Sequence, residues 1–291
     1  MKKFLILLVG ILLTLPAVAQ SEMRQDGLIY TLYTPDGANP YAAVTGQYLS
    51  EKTDVIMPES ITKDGVTYPV IDIAPNAFKE CSLLTSIVIS NSVTSIGEEA
   101  FSTCTAFSSV VFGNSVKSIG YRAFTTCYYL TSIILPESLT SIGGGAFRYC
   151  INLSSIKIPD TVASIGEAAF INCSKLTSIT IPSLVTSIET NTFCGCESLT
   201  SIIIPASVTH IGNYAFKKCS GLTSITIPDL VTSIGTGAFA ECSKLTSITI
   251  PNSVASIGST AFRDCTILFD KDTKFSGFYW LKSFLQLQKP D

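Results

Sequence analysis

Histidine and charge are both scarce in this sequence. His210 is the one histidine, and 14% of the 291 residues are charged. A single imidazole leaves no His cluster for a metal, and no acid and nucleophile can be singled out beside it for a catalytic triad. Lys and Arg number 19 against 22 Asp and Glu. That balance lacks the basic excess of a nucleic-acid surface and is too weakly acidic for a solvating tail. No phosphate-binding Gly loop is recognisable. The paired carboxylates Glu98 and Glu99 are sequence neighbours that point apart or into solvent, so they do not form a glycosidase pair. The expectation is a non-enzyme with no catalytic, cofactor or metal residues.

Past the first residues, no stretch is apolar for the ~20 residues a bilayer helix needs. The start itself reads as a secretory signal. Lys2 and Lys3 supply positive charge, Phe4 to Leu15 is apolar but for Gly10 and Thr14, and Ala17-Val18-Ala19 has the small residues that a signal peptidase reads. Residues 1–19 are therefore expected to be a signal peptide, and the mature chain to begin at Gln20. A retained membrane anchor is the alternative, against which the shortness of the apolar stretch counts. No Cys stands near the cleavage point for a lipid anchor. The expected location is outside the cytoplasm: secreted or on the cell surface, with the periplasm also open.

What the sequence has in abundance is self-similarity. Ala-Phe recurs at Phe78, Phe101, Phe124, Phe147, Phe170, Phe216, Phe239 and Phe262, with Thr192-Phe193 filling the gap, at a constant step of 23 residues. Eight complete units start at Leu84, Phe107, Leu130, Leu153, Leu176, Leu199, Leu222 and Leu245. Within one unit, Leu222, Ile225 and Ile227 with Ser224 and Thr226 between them give a short strand with one buried face. Pro228 cannot donate a ladder hydrogen bond and ends it. Val231 and Ile234 return the chain to the core, and Gly235 marks a tight backbone position. Ala238, Phe239 and Cys242 have helix-like spacing and predict a single helical turn, 3₁₀ in character. One such unit leaves both of its broad faces open. Stacking buries them and adds strand-to-strand bonds, so the expected fold is a parallel-stranded solenoid held by neighbour contacts.

The unit pattern Leu-x-x-Ile-x-Ile-Pro-x-Ser-Val-x-x-Ile-Gly-x-x-Ala-Phe-x-x-Cys resembles the BspA-like leucine-rich repeats of bacterial surface proteins, over about residues 55–267. The resemblance implies a leucine-rich-repeat solenoid. Members of that family are typically exported or surface-exposed, and several are linked to adhesion to host proteins and other cells. It therefore implies a protein or cell-surface partner, with host matrix among the candidates. A structural scaffold of the cell envelope is the alternative.

The ends depart from the pattern. Pro58 to Ile73 spans 15 residues where Pro136 to Ile142 spans 6, and the excess contains the turn signal Lys63-Asp64-Gly65. Residues 55–83 thus read as a variant first repeat with an insertion, ahead of the eight repeats at 84–267. In residues 20–54, Leu28 to Tyr33 and Tyr41 to Thr45 flank Pro35-Asp36-Gly37, which reads as a hairpin capping the first coil. In residues 268–291 the strand isoleucines give way to Lys271 and Thr273, and aromatic residues follow. That segment reads as a C-terminal cap, with a truncated further domain as the alternative.

Nine of the ten cysteines, Cys81 to Cys265, share one column of the repeat. Stacked strands lie ~4.8 Å apart with side chains parallel, whereas disulfide Cβ atoms sit at about 3.8 Å and face each other. Buried free thiols are expected. Cys194 stands off the column and could pair or react. His210 occupies a column filled elsewhere by Ser and is expected to point outward. The sharpest departure from the repeat is aromatic and cationic: Tyr121, Arg122, Tyr128, Tyr129, Arg148 and Tyr149. The 23-residue register places these in adjacent coils, and Tyr and Arg are enriched in binding hot spots. They form the candidate partner-binding patch, the competing reading being that the tyrosines merely cover the turns.

Overall fold

The computed structural model describes residues 19–35, 37–51 and 53–267. The expected leader, apart from Ala19, and the expected C-terminal cap lie outside these residues. The chain is a three-sided β-solenoid of about eight turns, each 23 residues long. The Ser-Ile-x strands, such as Ser132–Ile134 and Ser155–Lys157, line a first face. The two-residue Ser-Ile strands, such as Ser118–Ile119 and Ser141–Ile142, line a second. The Ala-Phe-x-x-Cys segments form a third, the turn face. Pairing is parallel and in strict register, with Ser118 opposite Ser95 and Ser141 and each isoleucine opposite the next.

The turn face is not helical, and no helix occurs among the described residues. Within a coil, alternate amides close i→i−3 turns, as Cys242 N to Phe239 O at 3.3 Å and Ala240 N to Gly237 O at 3.0 Å. The amides between them point along the stack and donate to the next coil: Gly237 to Ser259 O, Phe239 to Ala261 O and Glu241 to Arg263 O. Two positive-φ residues per coil, here Gly237 and Glu241, produce this alternation. The spacing that reads as one helical turn is therefore a run of tight turns. Inter-coil hydrogen bonds outweigh continuation of a helix because they satisfy the alternate amides along the stack.

The interior is built from columns. Nine Phe rings, Phe78 to Phe262, stack with centroids 5.0–5.6 Å apart and planes within 14°. Beside them, each thiol from Cys104 to Cys265 donates to the carbonyl of the previous coil's Phe at 3.0–3.3 Å. All ten cysteines are free. Burial pushes the Cys104 and Cys150 thiols up to about 12 and raises those of Cys127, Cys173, Cys196 and Cys219 as well. The Gly column, Gly97 to Gly258, has ordinary φ; what it requires is space. A Cβ on Gly120 would lie 2.6 Å from the Gly97 carbonyl carbon.

At the N-terminus, β1 (Ala19–Gln25), β2 (Leu28–Thr34) and β3 (Tyr41–Gln47) form an antiparallel meander, one strand more than the hairpin read from sequence. β3 then runs parallel to β6 (Val66–Ile73), which pairs with Ser95–Ile96 and so joins the cap to the second face. β4 (Thr53–Ile56) starts the first face against Leu84–Val88. The insertion forms a hairpin of β5 (Ser60–Lys63) with β6. Its turn residues Asp64 and Gly65 both have positive φ, as the right-handed twist of a two-residue hairpin requires.

Candidate functional site

The turn face gathers side chains that lie 23 residues apart. Lys79 and Arg148 each follow the core Phe of their own coil, while Glu99 and Arg122 each precede an Ala. The tight turns hold these positions outward, Glu99, Arg122 and Tyr149 at positive φ. Together with Ser102, Thr125 and Thr126 they line a groove of about 250 Å³.

Glu99 is the groove's anionic centre. Lys79 Nζ donates to Glu99 Oε2, and Arg122 Nη1 lies 3.7 Å from Oε1. The Lys79 hydrogen bond holds the Glu99 carboxyl below its usual range and raises Lys79 in turn. The Arg122 guanidinium lies over the Tyr121 ring at 4.8 Å, and Arg148 lies over Tyr149 at 4.8 Å. Such stacking orders the planar cation and leaves its N–H edge able to donate. Among the described residues Arg148 forms no ion pair; its guanidinium reaches only the Tyr149 hydroxyl, at 3.5 Å.

Of the six candidates, Arg122, Arg148 and Tyr149 line this groove, and Tyr121 lies beneath Arg122. Tyr128 and Tyr129 do not line it. They sit at the corner leading to the first face, Tyr129 64% exposed, with the Tyr128 carbonyl accepting from Asn152 Nδ2 at 2.7 Å. Sequence reasoning missed Lys79 and Glu99. A charge-by-column reading of the turn face would have found them, since Lys79 and Arg148 share one column.

A second ionic cluster lies farther along this face. Glu241 accepts from Arg263 at 3.2 Å and forms ion pairs with Lys217 at 3.3 Å and Lys218 at 3.8 Å. Burial pushes the Glu241 carboxyl up, but the three cations outweigh it and hold the group below its usual range. Here every cation is paired. Cys194, close to these lysines, has its thiol pushed up by burial, which disfavours a reactive thiolate. His210 is exposed on the second face, its Nδ1 bonded to Ser233 Oγ at 2.5 Å. Among the described residues, no group of three His, Cys, Asp or Glu is placed to hold a metal ion, and no helix is long and apolar enough to cross a membrane.

Compared with known proteins, the chain matches the BspA type leucine rich repeat region over residues 71–199 and 140–269, in six copies. The chain belongs to this family. A crystal structure of a T. pallidum leucine-rich-repeat protein is similar at 30% identity and a TM-score of 0.62, over 69% of this chain and 91% of that one. A leucine-rich cell surface protein from Faecalibacterium prausnitzii is 25% identical over 86% of this chain and 94% of its own, with a TM-score of 0.39. The pneumococcal vaccine antigen PcpA is 17% identical over 92% and 96%, with a TM-score of 0.44. No curated protein matches. In this BspA-type chain the repeats are a protein-interaction scaffold, and the consensus columns are occupied by stacking.

Proposed function

We propose that this BspA-type protein is exported and works by binding a protein or cell-surface partner, host matrix among the candidates, without catalysis. Its contact surface is the patch of Tyr121, Arg122, Tyr128, Tyr129, Arg148 and Tyr149, centred on the turn-face groove. The observation that carries the reading is the Arg148–Tyr149 pair. It combines an oriented guanidinium that forms no ion pair among the described residues with a partly exposed ring, where Tyr and Arg replace small or polar residues of the repeat. Aromatic and Arg side chains of this kind dominate binding energies because they bury much area at little entropic cost. Consensus Ser and Thr positions, by contrast, bond the carbonyl of the previous coil, as Thr177 Oγ1 does to Ser154 O.

The test is capture from host-matrix and cell-surface extracts by immobilised residues 20–291. A variant with Tyr128→Ser, Tyr129→Ser and Tyr149→Ser should lose at least about tenfold in affinity for whatever the native chain captures, since hot-spot losses exceed ~1.4 kcal/mol. Its thermal unfolding should be unchanged, because these side chains lie outside the Phe and Cys columns. Equal capture by the variant would remove the patch as the contact surface.

A further inference from the structure

We propose that the Arg148 end of the turn-face groove is a receptor for a single carboxylate side chain, an Asp or Glu of a protein partner. This rests on the reading of the patch as the contact surface and adds the chemistry of what enters it. The groove is electrically uneven. Glu99 accepts from Lys79 and pairs ionically with Arg122 at 3.7 Å, and Glu80 and Glu98 lie close enough to bear on Lys79. The Lys79 end is thus already neutralised. At the other end Arg148 forms no ion pair among the described residues, and Gly145 beside it adds no side chain. Stacked on Tyr149, its guanidinium presents a planar fork, the geometry that takes a carboxylate through two parallel hydrogen bonds. Thr125 Oγ1 donates to the Arg148 carbonyl at 3.2 Å and so ties the Arg148 backbone to the preceding coil.

Charge distribution selects a peptide carboxylate over a sulfated glycan. A polyanion binds through rows of cations and is repelled by interspersed acids. Here Glu80, Glu98 and Glu99 flank the cations, and the chain's formal charge is −3. The Glu241 cluster serves as an internal contrast: three cations surround one acid, and each is paired to it.

The experiment is selection of random linear 12-residue peptides, displayed on phage, against residues 20–291, with a heparin fragment titrated in parallel. The expected outcome is a family of peptides sharing one Asp or Glu beside apolar residues. Their affinity should fall at least tenfold on Arg148→Gln and partly on Arg148→Lys, which keeps the charge and loses the fork. Changing the peptide's acid to its amide should then cost nothing further in Arg148→Gln. Arg148 is a surface side chain, so unchanged thermal unfolding of these variants confirms that they fold. Enriched peptides that lack an acid, yet depend on Tyr149, would overturn this inference and leave the patch standing. Peptides indifferent to both Arg148 and the three-Tyr variant would overturn the patch reading as well. Arg148-dependent binding of heparin with no enriched peptide, or no enrichment at all, would also overturn the carboxylate assignment.

Discussion

Between the strands Ser118–Ile119 and Ser141–Ile142 the second face is fully bonded: the strands pair, Gly143 N donates to Ile119 O and Thr140 N to Lys117 O, both at 2.8 Å. Two coils on, between Ser164–Ile165 and Ser187–Ile188, the strands do not pair. The amides of Thr186 and Glu189, which correspond to Thr140 and Gly143, donate to no backbone carbonyl there. The residue that differs is Glu189, which stands where the other seven regular repeats have Gly and the variant first repeat has Ala74. A Cβ on the neighbouring Gly166 or Gly212 would meet backbone at 2.4 or 2.6 Å, so a residue that carries one forces the coils apart. The same coil also replaces a bonding hydroxyl with Leu184, but Leu230 does the same one step beyond its neighbour, and there Ser233–Ile234 pairs on both sides. The loss of the hydroxyl is therefore not enough to open the ladder.

The opened interface is held by what the coils share. The turn-face bonds Ala168 to Thr190 O, Phe170 to Thr192 O and Asn172 to Cys194 O persist. On the first face one strand pair, Ser155 with Ser178, remains where the two neighbouring interfaces have three. The first face breaks at two other interfaces, so no interface loses two faces at once. In a stack coupled only through nearest neighbours, this redundancy keeps the chain continuous.

The largest effect should come from attacking a shared column. The native thiols are raised from 9.0 to about 12 at Cys104 and Cys150, by burial first. A group whose native pKa lies above its unfolded value stabilises fully below the unfolded pKa, and that contribution fades as pH rises toward the native one. The solenoid should therefore hold below pH 9 and unfold between about pH 9 and 12. Circular dichroism should fall together with a rise in thiolate ultraviolet absorbance. Thiolates appearing while the strand signal stays intact would mean that the column is not sealed from water. Because every coil carries this column, the loss should not distinguish the two sides of the Glu189 interface.

A smaller effect should follow from copying the Glu189 defect into a regular interface. In Gly120→Ala the new Cβ meets the Gly97 carbonyl carbon at 2.6 Å and Glu98 N at 2.7 Å, and both are backbone. The expected cost is about 1–3 kcal/mol by overpacking, measured by urea unfolding. An unaltered midpoint would show that the stack adjusts without strain and that Glu189 is not what opens its interface.

These columns were legible in the sequence because a 23-residue repeat states each environment eight times over. Phe, Cys and the inward strand isoleucines are buried where periodicity assigned them, except in the last described coil, where Ile248, Ile250 and Cys265 are half-buried. The turn face was not legible in the same way. Its positive-φ positions hold Glu, Thr, Arg, Tyr, Asn and Lys as well as Gly, since inter-coil bonds impose the backbone there and local preference does not. The Tyr and Arg departures could be read as neighbours from register alone, which brought Arg122, Arg148 and Tyr149 to one groove. Which cation would be left without an acid was not readable, because Glu99 reaches Lys79 and Arg122 through side-chain rotamers. Nor could register show that Glu189 opens a ladder, since that depends on a backbone approach of under 3 Å at each Gly.

The smallest effect, and the sharpest test of the comparison, is the reverse change, Glu189→Gly. It removes the Cβ that holds the coils apart and should restore the two missing amide bonds, each worth about 1 kcal/mol net. Against this stand the loss of the Ser187 Oγ to Glu189 Oε1 bond and the greater freedom of Gly in the unfolded chain, about 0.5–1 kcal/mol. The global gain should thus be about 1 kcal/mol or less, hard to see in a melting curve. Amide hydrogen exchange resolves it locally. In the native chain Thr186 and Glu189 should exchange fast, while Thr209 and Gly212, bonded at 2.9 and 2.7 Å, should be protected. In Glu189→Gly, protection at 186 and 189 should rise to the level of those two. If it does not, Leu184 or the thinned first face keeps the interface open, and the difference between the two interfaces lies in packing along the whole coil instead of at one Cβ.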